Sequence, residues 1–255
     1  MTLADSAGLA LAVTAVLAVA ARFAGALTTG GAVAGALVGA CVSVGFGLPG
    51  LAVLGTFFVV GTLATRIGWE KKKARGTAEA SEGRRDWKRV FGKGGVAAAC
   101  ALLNVATGEH ALVYLVFSGA VAAALADTLG TEIGALSATQ PRALPSFRVV
   151  RAGTPGAVSF AGTIAAAIGG AIISVVSAIS RGEGRDPREL ALALLLVGVP
   201  GLIASLLESI AVGAGLRAPG FVRNLFTTFA GAFLTWVAIL ILVLGWVGSG
   251  IPQQR

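Results

Sequence analysis

The sequence predicts an all-α fold, a polytopic transmembrane helical bundle of about eight spans. Three observations carry that prediction. The 255-residue chain is 56% hydrophobic and only 13% charged, where a soluble domain carries about 25% charged residues. Its apolar stretches are long enough for helices, which need about 20 residues to cross a hydrocarbon core about 30 Å thick. They also lack the period-two alternation of β-barrel strands.

The expected spans are 5–24, 30–48, 50–67, 94–109, 111–137, 155–179, 189–214 and 223–248, within a single membrane domain covering 1–255. The first has no basic flank before it and is long enough to span, so it reads as a retained helix rather than a cleaved signal. The fourth is short and opens on Gly94-Gly95; without it the count falls to seven. Glycine, 37 residues of 255, and abundant alanine suit helices that pack backbone to backbone. Cys41 and Cys100 fall inside spans with no CxxC pair and read as small buried side chains. His110, the one histidine, reads as interfacial at a short turn.

Half of the positive charge lies between the third and fourth spans. Residues 66–93 read RIGWEKKKARGTAEASEGRRDWKRVFGK and hold ten of the 20 Lys and Arg, with the loop proper expected at 68–93. With eight spans, sixteen cations fall on one side: Arg22, these ten, Arg142, Arg148, Arg151, Arg217 and Arg223. Arg181, Arg185, Arg188 and Arg255 fall on the other. Basic residues flanking spans favour the cytoplasm, so the basic side is expected there, in the cell (plasma) membrane, with both termini outside. Each surface cation also contributes about 1 kcal/mol of attraction to anionic lipids, which makes membrane lipids expected partners.

Ionisable residues within spans mark sites or pathways. Asp127 and Glu132 lie in ALADTLGTEIGAL near the end of the fifth span, Glu208 lies late in the seventh, and Asn224 opens the eighth. All sit toward the basic side; opposite them there is only Glu109, beside a turn. Asp127 and Glu132 are five apart and splay by about 140° on a helix of 3.6 residues per turn. They reach one ligand atom only if the helix breaks near Gly130. One carboxylate then suits Mg²⁺, which takes few protein carboxylates plus substrate phosphates. The alternative makes Glu132 and Glu208 interfacial residues paired with loop arginines.

The segment PRALPSFRVVRAGTPGAVSFAG brings Arg151, Gly153, Thr154, Gly156 and Ser159 into the sixth helix. Pro155 suits a first helical position, and free N–H groups there suit an anion, with Arg148 and Arg151 adding charge. A capped interfacial turn is the alternative. An internal echo pairs Asp127-Thr128 and Phe160-Ala161-Gly162 with Glu208-Ser209 and Phe229-Ala230-Gly231. It reads either as a repeated helical hairpin with both acids lining one site or as coincidence in an Ala/Gly-rich chain. No GxxxxGK[ST] stretch is present, which excludes a P-loop nucleotide site.

Five stretches occur in order: ATRIGWEKKKARGTAEASEGRRDWKRVFGKGGVAA, ADTLGTEIGALSATQPR, RAGTPGAVSFAG, LLESIAVGA and VRNLFTTFAGA. Over about residues 25–245 the chain resembles a membrane family long described as of unknown function, whose members include plant and cyanobacterial phytyl-phosphate kinase and an animal transmembrane homologue. The resemblance implies a kinase that converts a prenyl monophosphate to the diphosphate with a nucleotide, CTP in first place, and Mg²⁺. It implies nucleotide or phosphate binding by Thr65, Arg66, Lys72, Gly76, Glu79, Gly83, Arg84 and Arg85. It adds Asp127, Thr128 and Glu132, then Gly153, Thr154, Gly156, Ser159 and Asn224. With Arg151 and Glu208 from the residue reading, Asp127, Glu132 and Glu208 become the candidate catalytic set, and Asp127 and Glu132 the metal set. The family favours Asn where this chain has Lys93, Ser where it has Thr131, and Asp-Ser where it has Glu208-Ser209. Lys93 is the departure that changes chemistry. The expected partners are a prenyl phosphate lipid and a nucleotide, with no nucleic acid. A transporter or flippase of a phosphorylated lipid or small anion is the rival, and it requires a polar path to the far side.

Overall fold

A computed structural model describes residues 3–79, 81–108 and 110–248. Glu109 and Arg255 lie outside the described residues, as does the side chain of His110. The helices are α1 (Leu3–Phe23), α2 (Thr29–Arg66), α3 (Trp69–Ala74), α4 (Trp87–Thr107), α5 (His110–Gly134), α6 (Phe160–Ser180), α7 (Pro187–Ala193), α8 (Val199–Gly213) and α9 (Gly220–Gly248). A π turn at Leu194–Gly198 joins α7 to α8 in one rod. It lies just ahead of Pro200, whose ring and missing N–H disfavour regular α-helix there.

The all-α membrane bundle is as expected, but six described helices, not eight, are long and apolar enough to cross. The described apolar part of α1, Ala7–Phe23, falls short of that length. The expected spans 30–48 and 50–67 are one element, α2, broken at Gly47 (φ 60°, ψ −146°). That backbone region is open essentially to glycine alone. The break folds α2 back on itself. A Cβ at Gly31 would lie 2.1 Å from the Arg85 carbonyl oxygen, and one at Gly61 2.7 Å from Arg85 Nη2. In a straight helix those glycines would stand about 45 Å apart at 1.5 Å per residue. Asn104 steadies the bend by donating to the Gly45 carbonyl at 2.8 Å. The weak fourth span is present, and it begins earlier than expected, at Trp87.

α5 is the central helix, buried without interruption from Ala120 to Ala126. Close backbone approach holds the bundle, as expected where lipid removes the hydrophobic drive between helices. A Cβ at Gly231 of α9 would meet the Gly119 carbonyl of α5 at 2.5 Å. One at Gly162 of α6 would meet the Gly130 carbonyl at 2.7 Å. Large apolar residues such as Val16, Leu37, Leu103, Phe229 and Ile241 face outward, where lipid lies.

The connections 24–28, 67–86, 135–159 and 214–219 meet at one end. Leu27 bridges to Arg85, and Arg66 Nη2 donates to Ala24 O at 2.7 Å. Arg75 Nη1 donates to Ala135 O and Ser137 O at 2.9 and 3.1 Å. The third connection carries three two-residue antiparallel strands, Arg142–Ala143 between Arg148–Val149 and Ala157–Val158. It docks on α8 so closely that a Cβ at Gly213 would sit 1.6 Å from Leu144 O.

Candidate active site

A cavity of about 720 Å³ opens at this end, within the range of small-molecule sites. One wall is apolar: Leu17, Ala18 and Ala21 of α1 with Leu51, Leu54, Phe57 and Phe58 of α2. The opposite wall is charged, with Glu79, Arg89, Lys93, Asp127, Glu208 and Arg223 from four helices and the basic segment.

The polar wall is built from helix ends. Asp86 caps α4 by accepting from the Arg89 N–H at 2.9 Å, so the helix starts within the expected loop. Lys93 therefore sits on α4 rather than in a loop, on the stripe of Ala97, Cys100, Ala101 and Asn104 that packs inward. Its ammonium donates to Asp127 Oδ2 at 2.6 Å, Thr128 Oγ1 at 2.7 Å and Ala124 O at 3.3 Å. Arg223 of α9 pairs with Glu208 of α8 at 3.5 Å, and Glu208 lies within interaction range of Asp127. Arg89 pairs with Glu79. Two carboxylates from different helices thus stand together in a field of cations.

The structure divides the expected site residues. Asp127, Thr128, Glu208, Gly76, Glu79, Arg85, Gly153, Thr154, Gly156, Ser159 and Asn224 line the cavity. Thr65 and Lys72 do not line it; they hold Glu132 from behind its wall. Lys72, with no exposed side-chain surface, pairs with Glu132 Oε2 at 2.6 Å and donates to Ala64 O and Thr65 O. Thr65 Oγ1 donates to Glu132 Oε1 at 3.0 Å. Glu132 lines the cavity as well, and both of its carboxylate oxygens are engaged, Oε2 by Lys72 and Oε1 by Thr65. α5 runs unbroken to Gly134; the expected break at Gly130 is absent, and Asp127 and Glu132 diverge as the helical splay requires. The alternative had Glu132 and Glu208 as interfacial acids paired with loop arginines; their partners are instead Lys72 of α3 and Arg223 of α9, and Glu132 is buried.

Three expected arginines are not in the cavity. Arg66 turns to Ala24, exposed Arg84 pairs with Glu82 at 3.3 Å, and Arg151 is exposed. Pro155 does not open α6. Ser159 does, its Oγ accepting from Gly162 N at 3.1 Å. Thr154 Oγ1 is turned to Arg151 O at 2.8 Å. The segment 153–156 therefore roofs the cavity as a turn, with Gly153 and Gly156 at positive φ. Asp127 and Glu208 do line one cavity, as the internal echo suggested, but Phe160 opens α6 while Phe229 lies well inside α9. Arg89, Lys93 and Arg223 also line the cavity, and the sequence reading did not place them among the candidate site residues. An aspartate N-cap at 86 is the signal that places the first two on a helix. Among the described residues no group of three His, Cys, Asp or Glu makes a metal site by itself.

The chain belongs to the family Integral membrane protein DUF92, which matches residues 12–228. It is similar to an uncharacterised membrane protein of Methanocaldococcus jannaschii, 33% identical over 174 residues, covering 68% of each chain. It is similar to Protein PGR of Arabidopsis thaliana, 31% identical over 193 residues, 68% of this chain and 67% of that one. It is also similar to Protein VTE6, chloroplastic, of Arabidopsis thaliana, 31% identical over 143 residues. That match covers 54% of this chain and 43% of the plant protein, so it spans less than half of that relative. No solved structure matches.

Proposed function

We propose that this DUF92 member is a prenyl monophosphate kinase. It transfers a phosphoryl group from a nucleotide, CTP in first place, to a phytyl- or geranylgeranyl-type monophosphate at the cytoplasmic membrane face. The observation that supports this most is the amphiphilic cavity, with an apolar wall between α1 and α2 for a tail and a charged wall for phosphates. The family resemblance points the same way. The cations of the basic segment gather at the cavity's end of the bundle, and positive charge favours the cytoplasm.

The chemistry asks for cations and positioning more than for a base. A phosphomonoester has a second pKa of about 6, so the acceptor oxygen is already ionised near neutrality. The bond from the γ-phosphorus to the bridging oxygen of the nucleotide breaks, and a bond from that phosphorus to an acceptor phosphate oxygen forms. The products are the nucleoside diphosphate and the prenyl diphosphate. Such transfer rests on alignment and charge neutralisation. Lys93, Arg89 and Arg223 supply fixed positive charge. Asp127 and Glu208, adjacent and from two helices, fit Mg²⁺, which takes one or two carboxylates and completes its shell with phosphates and water. When bound, the ion neutralises charge on the transferring phosphates. Glu132 does not fit that role, because Lys72 and Thr65 occupy its oxygens.

The rival transport reading needs a polar path through the far half of the bundle. There Val42, Phe46, Val113, Tyr114 and Phe117 pack against one another, which favours a one-ended site. The test is direct. Purified wild type with phytyl monophosphate, Mg²⁺ and CTP is expected to yield the diphosphate, and folded Asp127→Asn is not. Unchanged turnover in that variant removes Asp127 from the site.

A further inference from the structure

We infer that Arg85 is the phosphate-reading end of a lipid subsite: it receives the phosphomonoester head of a single-chain lipid whose tail lies along α1 and the folded limbs of α2. The inference deepens the kinase reading and rests on it for the ligand's identity.

Arg85 is held firmly by its backbone. Its N–H donates to Ala26 O at 3.0 Å, and its carbonyl accepts from Thr28 N at 3.1 Å. The side chain then runs inward, leaving the residue 8% exposed. Its guanidinium stands over the rings of Phe57 and Phe58, 5.3 and 5.8 Å from their centroids. Four cations around the cavity are matched, Lys72 by Glu132, Lys93 by Asp127, Arg89 by Glu79 and Arg223 by Glu208, while Lys88 is exposed to solvent over the Trp87 ring. Among the described residues the Arg85 guanidinium has no hydrogen-bond or ion-pair partner. Burial lowers its pKa from the ordinary value, against the opposing pull of the Glu79 and Glu132 charges.

A buried guanidinium with no directly bonded counter-ion is costly, and a ligand anion in the cavity would supply one. Two further features say what kind of anion. Gly61 is the residue beside Nη2, and any Cβ there would lie 2.7 Å from it, so the missing side chain is what lets the guanidinium lie against α2 in this position. The wall leading to it is the apolar one, with Leu17, Ala21, Leu54 and Phe58. A planar guanidinium at the end of an apolar trough matches an anion on a hydrocarbon chain. The nucleotide phosphates are left to the wall of Lys93, Arg89 and Arg223.

The experiment is equilibrium binding and thermal unfolding in an uncharged detergent, without turnover. Four probes are compared: phytyl monophosphate, phytol, inorganic phosphate and CTP. Wild type is expected to bind and be stabilised by phytyl monophosphate, and far less by phytol or inorganic phosphate. Arg85→Gln should weaken phytyl monophosphate by roughly tenfold or more, as for loss of a charged hydrogen bond, and leave CTP unchanged. Without ligand its melting temperature should equal or exceed that of wild type, because an unpaired buried charge is gone. Gly61→Ala, which keeps the arginine, should weaken the same probe alone.

The inference is overturned by CTP losing affinity in Arg85→Gln while phytyl monophosphate does not, by wild type binding phytol as well as its phosphate, or by a large drop in the unliganded melting temperature of Arg85→Gln. Inorganic phosphate competing as well as the lipid overturns it in favour of a free-anion site. Arg85-dependent lipid binding without diphosphate formation from any nucleotide would retain the subsite and refute the kinase.

Discussion

Replacing Lys72 with Met should be among the most damaging single changes in the chain. Lys72 Nζ makes three contacts: Glu132 Oε2 at 2.6 Å, Ala64 O at 2.8 Å and Thr65 O at 3.1 Å. The pair is closed to solvent, with side-chain exposures of 0% and 5%. Met preserves the packed stem and removes only the charge. It strands a carboxylate that keeps one hydroxyl donor, and two carbonyls at the end of α2. Removing one partner of a buried pair costs about 3–5 kcal/mol. At about 2–4 °C per kcal/mol for a chain approaching this size, Lys72→Met should melt about 10 °C lower in detergent. The double variant Lys72→Met/Glu132→Gln should recover most of that loss, since a neutral amide still accepts from Thr65. It should also retain phosphoryl transfer, as expected of a carboxylate whose two oxygens are bonded to Lys72 and Thr65. A double-mutant cycle by thermal unfolding reads the coupling. Lys72→Met costing under about 1 kcal/mol, or a double variant as unstable as the sum of the singles, would refute the reasoning from the buried pair.

Two other perturbations separate parts of the account. Lys93 competes with any cation for Asp127, so Lys93→Asn should tighten Mn²⁺ binding about tenfold without nucleotide, from loss of one charge-assisted bond; calorimetry showing no change would mean that Asp127 does not hold the metal. Gly213→Ala would place a Cβ 1.6 Å from Leu144 O, displacing the stranded connection that roofs the cavity. Faster limited proteolysis within 141–158 and a lower melting temperature are expected, and an unchanged digestion pattern would show that this docking is not needed.

The membrane architecture is legible because it depends on local quantities, namely apolar length and charge placement. What the sequence conceals depends on partners distant along the chain. Glu132 reads as a second metal ligand, and nothing local reveals that Lys72, sixty positions earlier, pairs with it. Gly130 reads as a hinge, yet it lets α6 approach: a Cβ there would stand 3.3 Å from Ala166 Cβ and 3.4 Å from Gly162 O. Pro155 looks like a helix start, but Ala157 and Val158 pair with Ala143 and Arg142 and defer the helix to Ser159. Lys93 reads as a departure from the family's Asn ahead of an apolar run that begins at Gly94, whereas the Asp86 cap starts the helix at Trp87, about two turns before that run. Asp127 and Glu208 are legible without their partners, since carboxylates so deep in apolar helices have few other reasons to be there.

The most direct test of the central claim is product formation by the wild-type protein. Phytyl and geranylgeranyl monophosphate are each incubated with Mg²⁺ and γ-labelled CTP, ATP, GTP or UTP, and the lipid fraction is resolved for labelled diphosphate. Labelled prenyl diphosphate is expected, greatest with CTP and absent when the metal is chelated. No labelled diphosphate from any pairing of lipid and nucleotide would contradict the claim.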